Sequence, residues 1–501
     1  MTSEGSPANR AALGGRARRR LLALLVTAFA FNFIDRTIIS TIGQAIKSDL
    51  KISDTQLGLL AGLYFALLYS VLGVPIARVA ERVSRVNIVT VAIITWSAFT
   101  ALCGAAGSFL TLAVFRFGVG VGEAGLTPPA QSLISDYFAP KERTLALSIY
   151  NIGSPIGILI GAIAGGWLTQ RLSWRLAFML VGVPGLLVAL AMKLLVEEPP
   201  RGLSDARPGD GVAIEMLQPA LPAFSLLREW REIGATCATL LGEWPVLCMV
   251  IGATLASFGA YGAGAFVPAH FIRSFGLDFT HVGLVYGLIY GFAPAIGTLA
   301  GGYLVDRLGR RNAGWYAAIP ALGLLIGAPL YILAFTRASW QSTAVAQVLP
   351  LLLVAAYLPP TFGVIQNIVA VRRRATAAAI FIFLLNLFAL AGGPPLTGLI
   401  IDRLAAIGFD HPGGVSIWSS LTALATSHAT DFQSVCPGGT APVGAPEVLD
   451  ARCKSALAVA TRHGIMVALS FYFWGGIPFL LASFGLPRVM TFAHVDRGDP
   501  E

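Results

Sequence analysis

The sequence predicts an all-α membrane protein in which twelve transmembrane helices form two pseudo-symmetric six-helix bundles. Of its 501 residues, 55% are hydrophobic and only 12% are charged, whereas soluble domains carry about 25% charged residues. A membrane span needs roughly 20 apolar residues, and twelve stretches of the chain reach that length. An internal repeat, described below, divides these stretches into two sets of six.

The predicted spans are separated by polar connections, most of them short. They lie near residues 21–46, 56–80, 86–107, 109–134, 144–170, 174–196, 244–272, 280–306, 313–336, 342–370, 375–402 and 456–486. The remaining segments give the domain organisation: a tail at 1–20, a first bundle at 21–196, a linker at 197–243, a second bundle at 244–486 with a long loop at 403–455, and a tail at 487–501.

The linker opens with EEPPRGLSDARPGDG, whose prolines and glycines interrupt regular structure. FSLLREWREIG, at 224–234, then places apolar residues on one helical face and charges on the other. This pattern predicts an amphipathic helix on the inner membrane surface. A structured linker without lipid contact is the alternative.

The net charge of +9 is concentrated in the loops of one side, above all in RARRR at 16–20 and VRRR at 371–374. Basic loops face the cytoplasm, so both termini are expected there, in the inner membrane if the chain is bacterial. The basicity therefore sets topology and does not indicate nucleic-acid binding. Residues 1–30 also resemble a signal peptide ending at Ala28-Phe29-Ala30, but its removal would leave an odd number of spans.

Two loop sequences repeat between the halves. IARVAERVSRV (76–86) follows span two and GGYLVDRLGRR (301–311) follows span eight, each with one acid and two basic residues in register. KERTLALS (141–148) and RRRATAAA (372–379) likewise precede spans five and eleven. Internal duplication is typical of transporters, which bind substrate between the repeats near the membrane midplane.

Four charged residues fall inside predicted spans. Asp35 and Arg36 lie near the middle of span one, and Arg116 and Glu123 lie in span four. Each charge costs about 2.5–3.5 kcal/mol at the centre of a membrane helix. Adjacent residues point about 100° apart on a helix, so Asp35 and Arg36 need partners on other helices.

A working role explains these charges better than a purely structural salt-bridge network, which remains the alternative. Burial favours the neutral form of Asp35 and Glu123, and a nearby arginine favours the charged form. An anionic substrate bound to Arg36 or Arg116 would release a carboxylate to take up a proton. The pattern therefore indicates proton-coupled transport of an anion.

The motifs resemble those of a known family. Gly302-x-x-x-Asp306-Arg307-x-Gly309-Arg310-Arg311 resembles the loop signature of the major facilitator superfamily. The first copy departs from it, with Ala77, Glu81 and Ser84 in place of Gly, Asp and Gly. The resemblance implies a cytoplasmic gate built from the charged loop residues, which are Glu81, Arg82, Arg85, Asp136, Arg143, Asp306, Arg307 and Arg310.

NFIDRTIIS (32–40), RFGVGVGEAG (116–125) and residues 135–168 are similar to the Spinster branch of that superfamily. This resemblance implies an anionic sphingolipid or lysolipid as substrate and places the coupling charges at Asp35, Arg36 and Glu123. Organic anion:proton symporters share the charge pattern, so small organic anions such as sugar acids remain an alternative. A membrane-embedded enzyme or a lipid receptor is the competing functional class.

Three further sets of residues complete the prediction. Glycine stripes with a four-residue period allow close helix packing, and the resemblance places them at a seam between the halves: Gly153, Gly157, Gly161, Gly165, Gly283, Gly287 and Gly291. Polar residues within spans are candidates for the substrate cavity: Tyr64, Asn151, Tyr286, Tyr290, Tyr357, Thr361 and Asn386. In the loop at 403–455, Cys436 and Cys453 either form a disulfide or remain free thiols.

Neither a cofactor nor an enzymatic centre is expected. The histidines form no His-x-x-x-His pair, the five cysteines form no cluster, and no Gly-x-x-x-x-Gly-Lys-Ser/Thr loop is present. The expected partners are membrane lipids, the substrate and protons, with no nucleic acid. The chain is expected to act as a monomer.

Overall fold

The computed structural model describes residues 14–80, 82–201, 226–369, 373–411 and 432–495. Within these ranges the regular structure is entirely helical, and twelve helices are long and apolar enough to cross a membrane. The predicted fold class is therefore confirmed.

Most spans are longer than predicted, and several are broken into segments. Their bounds in chain order are Gly15–Leu50; Asp54–Ala61 with Leu63–Ala80; Arg85–Cys103; Phe109–Glu123 with Thr127–Tyr137; Pro140–Asn151 with Gly153–Arg171; Trp174–Leu195; Trp244–Phe275; Phe279–Gly309; Trp315–Ala334; Trp340–Val354 with Leu358–Ile368; Arg374–Leu385 with Ala391–Asp410; and Glu447–Val495.

Two of the breaks lie beside residues of functional interest. Span four is interrupted directly after Glu123, where the chain turns before Thr127. Span eleven contains a π-helix at Asn386–Leu390, just before the Gly-Gly-Pro-Pro sequence that begins at Gly392. Irregular turns of this kind widen a helix locally and are frequent at functional sites.

Span one, described from Gly15 onward, is part of the first bundle. Span one runs without a break through Ala28–Ala30, and a Cβ atom placed on Gly157 of span five would lie 2.3 Å from the Ala30 carbonyl oxygen. Ala30 therefore packs in the core of the first bundle. The linker forms a helix at Leu226–Gly242, which includes most of the predicted amphipathic segment.

The first glycine stripe packs differently from the prediction. Gly153, Gly157 and Gly161 of span five contact the backbone of span one, and Gly165 contacts Ile38 of the same helix. The stripe therefore tightens the first bundle internally and does not form the seam between the halves. The reason is that span five presents another face, containing Ala162 and Gly166, to the second bundle.

The second glycine stripe does lie at the contact between bundles. A Cβ atom placed on Gly283 would lie 2.3 Å from the carbonyl oxygen of Ala162, and one placed on Gly166 would lie 2.2 Å from that of Phe279. Gly287 and Gly291 continue this surface along Leu159 and Pro155. Spans five and eight therefore touch backbone to backbone, which any side chain would prevent.

Gly283→Ala should destabilise the fold, because the added methyl group meets a backbone oxygen that cannot rotate away. We expect a loss of about 1–3 kcal/mol, typical of overpacking, seen as a lower melting temperature of the detergent-solubilised protein. Gly73→Ala is the matched control, since nothing lies within 4 Å of a Cβ atom at that position. Equal melting temperatures for the two variants would contradict the close packing.

Candidate functional site

The structure joins two of the four predicted membrane charges in an ion pair between helices. Arg36 of span one donates from Nε to Oε2 of Glu123 of span four across 2.7 Å. The Glu123 side chain is fully buried, whereas that of Arg36 keeps 22% of its surface exposed. Arg36 is thus the member of the pair that another molecule can reach.

Aromatic rings surround the Arg36 guanidinium. Its Cζ atom lies 5.4 Å from the ring centre of Phe33, 4.9 Å from that of Phe65 and 4.7 Å from that of Tyr69. The Phe65 ring is also 5.2 Å from Cζ of Arg116, so one buried ring contacts both cations. Such cation–π contacts contribute about 0.5–2 kcal/mol each.

Arg116 is placed differently from Arg36. Only 1% of its surface is exposed, and its Nε donates to the Leu60 carbonyl oxygen across 3.3 Å. The sequence predicted that either arginine could receive an anionic substrate. In this conformation Arg116 is buried in the protein interior, and only Arg36 of the two is accessible.

Asp35 is buried without an ion-pair partner among the described residues. Its surface is 3% exposed, and its Oδ1 atom has no hydrogen-bond partner. The Oε1 atom of Glu123 is also buried and also has no hydrogen-bond partner. A charged carboxylate with a buried, unpartnered oxygen is costly, so a proton or a rearranged arginine would stabilise either group.

The second bundle contributes neutral polar groups. Tyr286 stacks on Tyr290 with ring centres 4.3 Å apart, and Tyr290 donates its hydroxyl to Oε1 of Gln347 across 3.0 Å. Tyr357 shares a 2.7 Å hydrogen bond with Ser257. These tyrosines form a hydrogen-bonded wall in the second half of the chain.

The other predicted cavity residues have different settings. Thr361 donates to the Tyr357 carbonyl oxygen and is fully buried. Tyr64 packs against the rings of Phe109 and Phe117 of span four. Asn151 is exposed, and Asn386 is buried at the start of the π-helix. Thr361 and Tyr64 thus make packing contacts within their own halves.

Sequence reasoning missed Tyr261 of span seven, which lies within electrostatic range of Arg36 and Tyr69 across the interface. Its neighbours in the sequence are small and apolar, so no local pattern marked it. Tyr261 therefore places a tyrosine of the second bundle near the charged residues of the first bundle.

Sequence reasoning also missed a buried charge network between the bundles. Asp54 lies at the start of span two, and its carboxylate forms two ion pairs. One is with Nη2 of Arg273 from span seven, across 2.7 Å, and the other is with Nζ of Lys47 from span one, across 2.6 Å. The Arg273, Lys47 and Asp54 side chains are at most 4% exposed. We call this end of the molecule, which includes the connection between spans one and two, the closed end.

Asp402 of span eleven strengthens the same contact. Its carboxylate accepts the backbone N–H groups of Asp54 and Thr55, across 2.9 and 2.7 Å, and the Thr55 hydroxyl across 2.6 Å. Free N–H groups at a helix start attract negative charge. An acid of the second bundle therefore caps a helix of the first. Ser53 and Gln56 also form a capping box at this helix start, and no local sequence pattern indicated that Asp402 lies beside it.

The described part of the loop before span twelve, residues 432–446, contacts the closed end. Cys436 and Cys453 form a disulfide with a Cα–Cα distance of 5.8 Å, so the bridged alternative is the one present. Gln433 donates a hydrogen bond to the Lys51 carbonyl oxygen. A Cβ atom placed on Gly438 would lie 3.0 Å from the Lys47 carbonyl oxygen. The loop belongs to the second bundle and rests on the end of span one.

Two predicted gate residues at the opposite end, Arg85 and Arg143, form contacts within the first half of the chain. Arg85 pairs with Asp136 and Glu198, the latter across 2.7 Å, and binds the Pro199 carbonyl oxygen. Arg143 donates to the Ser135 carbonyl oxygen across 2.9 Å. In these contacts Arg85 and Arg143 brace the first bundle and the start of the linker.

The remaining gate residues are more exposed. Arg307 donates to the Tyr303 hydroxyl within span eight, and Asp306 and Arg310 lie near Tyr316 of span nine. Arg82 is exposed at the end of span two and takes part in a further interaction. Glu81 lies outside the described residues. No group of three or more His, Cys, Asp or Glu side chains in the described chain is placed to hold a metal ion.

Asp402→Ala should open the closed end, because it leaves two backbone N–H groups without an acceptor. Removing one partner of a buried charged contact costs about 2–5 kcal/mol. The distance between spin labels at Leu172 and Arg337 measures the opening, because these are exposed positions on opposite bundles. We expect the distribution of this distance to gain a longer component in the variant. The free cysteines Cys103, Cys237 and Cys248 are replaced by serine for labelling.

Asp278→Asn is the control for this measurement, since Asp278 bonds only within the start of span eight. Asp402→Asn retains one oxygen acceptor and should give a smaller shift. An unchanged distance distribution for Asp402→Ala would show that the network does not hold the bundles together.

The Arg85 network predicts acid sensitivity through Glu198, which lies beyond the end of span six. Burial favours a higher pKa for Glu198, but hydrogen bonds from the Val86 N–H and from Arg85 outweigh it and hold the pKa below its ordinary value of 4.5. A group with a lowered pKa in the folded state stabilises the fold above its unfolded pKa. That contribution is lost as the pH falls through the folded value.

Glu198→Gln should therefore lower the melting temperature at pH 7, with a loss of about 1–3 kcal/mol for charge-assisted hydrogen bonds. The difference in melting temperature between the wild type and the variant should decrease as the pH falls below about 4.5. Melting curves from pH 3 to pH 7 test this. A gap that stays constant over that range would show that the Glu198 charge does not contribute.

Comparison with known proteins agrees with this architecture. Residues 25–250 and 249–493 each match the Major Facilitator Superfamily. An MFS-type efflux pump of Mycolicibacterium smegmatis is 31% identical, over 78% of this chain and 86% of that protein. A probable L-galactonate transporter of Escherichia coli is 26% identical, also over 78% of this chain and 86% of that protein.

One solved structure is similar over almost the whole chain. It is a bacterial homolog of the human lysosomal transporter Spinster, in an inward-facing and unoccupied conformation. It is 32% identical, aligns with a TM-score of 0.78, and covers 95% of this chain and 99% of that one.

Proposed function

The chain belongs to the major facilitator superfamily, and from this premise we propose that it is a proton-coupled transporter of an anionic amphiphile of the sphingolipid or lysolipid type. The observation that carries the proposal is the Arg36–Glu123 pair, in which a fully buried acid holds a cation that remains partly exposed. The family is one of transporters, so the competing enzyme class is set aside. The resemblance to the Spinster branch predicted from the sequence is confirmed.

The surroundings of Arg36 favour a substrate with a single charged head. Arg116 is buried and bound to a backbone carbonyl, which leaves Arg36 as the accessible one of the two deep arginines. Rings of Phe33 and Tyr69 flank it, and the facing half supplies tyrosines. One cation beside aromatic surface suits an anionic head followed by an apolar chain.

Coupling to protons follows from competition for Arg36. A substrate anion that binds the guanidinium weakens its bond to Glu123, whose Oε1 atom already lacks a partner. The buried carboxylate then becomes more stable with a proton. Asp35, which has no ion-pair partner in the described chain, provides a second proton site beside it. Substrate binding and protonation are thereby linked.

Alternating access follows from the contacts between the bundles. We propose that the closed end faces outward and that the charged loops at the opposite end face the cytoplasm, together with both termini. The similarity to an inward-facing homolog supports this orientation. The disulfide supports it too, because such bonds persist in oxidising compartments. The chain would act as a monomer in the cell membrane.

Small organic anions are the second candidate substrate. The relative from Escherichia coli bears the name of a probable L-galactonate transporter. A sugar acid would use the same arginine for its carboxylate, and the tyrosine hydroxyls of the second bundle would bind its hydroxyl groups.

Asp35→Asn and Glu123→Gln should each abolish substrate accumulation driven by a pH gradient, because each removes a proton site. Uptake into proteoliposomes with an imposed gradient measures this, with lysophospholipid and galactonate offered separately. Asp450→Asn is the control, since Asp450 pairs with Lys454, away from the charged residues around Arg36. Accumulation of galactonate alone would select the second candidate. Wild-type accumulation by both variants would contradict the coupling proposal.

A further inference from the structure

A groove of about 530 Å³ lies on the second bundle, away from the Arg36 site. It is lined by Glu243, Trp244, Phe484, Gly485, Arg488 and Val489. Trp244 begins span seven, and the other wall comes from the last turns of span twelve. The sequence pattern did not mark these residues as a set, because about half of the chain separates the two walls.

The groove lies at the ends of two spans, which is where lipid headgroups are expected. The apolar part of span twelve ends near residue 486, and span seven begins directly after the linker helix, which ends at Gly242. Tryptophan at the end of a span is characteristic of the membrane–water interface. Trp244 and Phe484 are 52% and 74% exposed, so both rings face the surrounding lipid.

Backbone packing fixes the position of the tryptophan. A Cβ atom on Gly485 would lie 2.2 Å from Cζ2 of Trp244 and 2.7 Å from Cγ of Pro245. The indole ring therefore rests directly on the bare backbone of span twelve. This contact holds the two walls of the groove in register.

The groove carries one acid and one base that remain available. Glu243 and Arg488 are both exposed, and neither side chain forms an ion pair or hydrogen bond with the described part of the chain. They line the same groove without neutralising each other. A ligand with one negative and one positive group would complement both.

We propose that this groove binds the headgroup of a zwitterionic phospholipid with a primary ammonium group. Arg488 binds the phosphate through its planar guanidinium, and Glu243 accepts hydrogen bonds from the ammonium. The first acyl segments lie on Trp244 and Phe484. A trimethylated ammonium cannot donate to Glu243, and Glu243 would repel a lipid with only negative charge.

Native mass spectrometry of the full-length protein, with equal amounts of phosphatidylethanolamine, phosphatidylcholine and phosphatidylglycerol, tests this. We expect several-fold more phosphatidylethanolamine to be retained. Arg488→Gln should reduce its retention about tenfold through loss of a charge-assisted contact. Glu243→Gln should remove the preference over phosphatidylcholine. Lys193→Gln is the control, because Lys193 bonds to Asn87 on the first bundle.

Equal retention of the three lipids by the wild type would overturn the proposal, as would a preference for phosphatidylglycerol. A preference that survives both groove variants would also overturn it, since the lipid would then bind elsewhere. Folding of each variant is checked by its melting temperature. These outcomes do not depend on transport, so they stand apart from the test of the proposed function.

Discussion

A charge inside a bilayer has no water to replace a lost partner, and this constraint explains how the two bundles are built. Deep in the spans the chain pairs Arg36 with Glu123 inside the first bundle, and near the span ends it pairs Asp54 with Arg273 between the bundles. A buried pair of this kind adds little stability compared with apolar packing. Breaking the pair is costly, because removal of one partner leaves the other charge buried and unpaired.

Glycine adds a second means of joining the same helices. Span five uses one face, without side chains, to approach span one and another to approach span eight. The first contact is internal to a bundle and the second crosses between bundles. Span five thus contacts both the second bundle and span one, which carries Asp35 and Arg36. Packing and charge therefore meet in the same helix.

The sequence was sufficient to predict the twelve spans, the repeat and the charged residues at mid-membrane, because hydropathy and isolated charges are local signals. It also predicted that Arg36 needs a partner on another helix. It did not predict the network around Asp54, since Lys47, Asp402 and Arg273 lie near span ends, where charges are ordinary. The glycine stripe of span five was assigned to the wrong neighbour, because periodicity identifies a face and not what that face contacts.

The disulfide loop has a consequence for biogenesis. Gln433 and Gly438 rest on the end of span one, yet almost four hundred residues separate these partners in the chain. During synthesis span one enters the membrane long before the loop leaves the ribosome. The closed end is therefore completed last, and a chain truncated before span twelve would reach the membrane with its first helix uncovered, open to recognition by quality-control proteases.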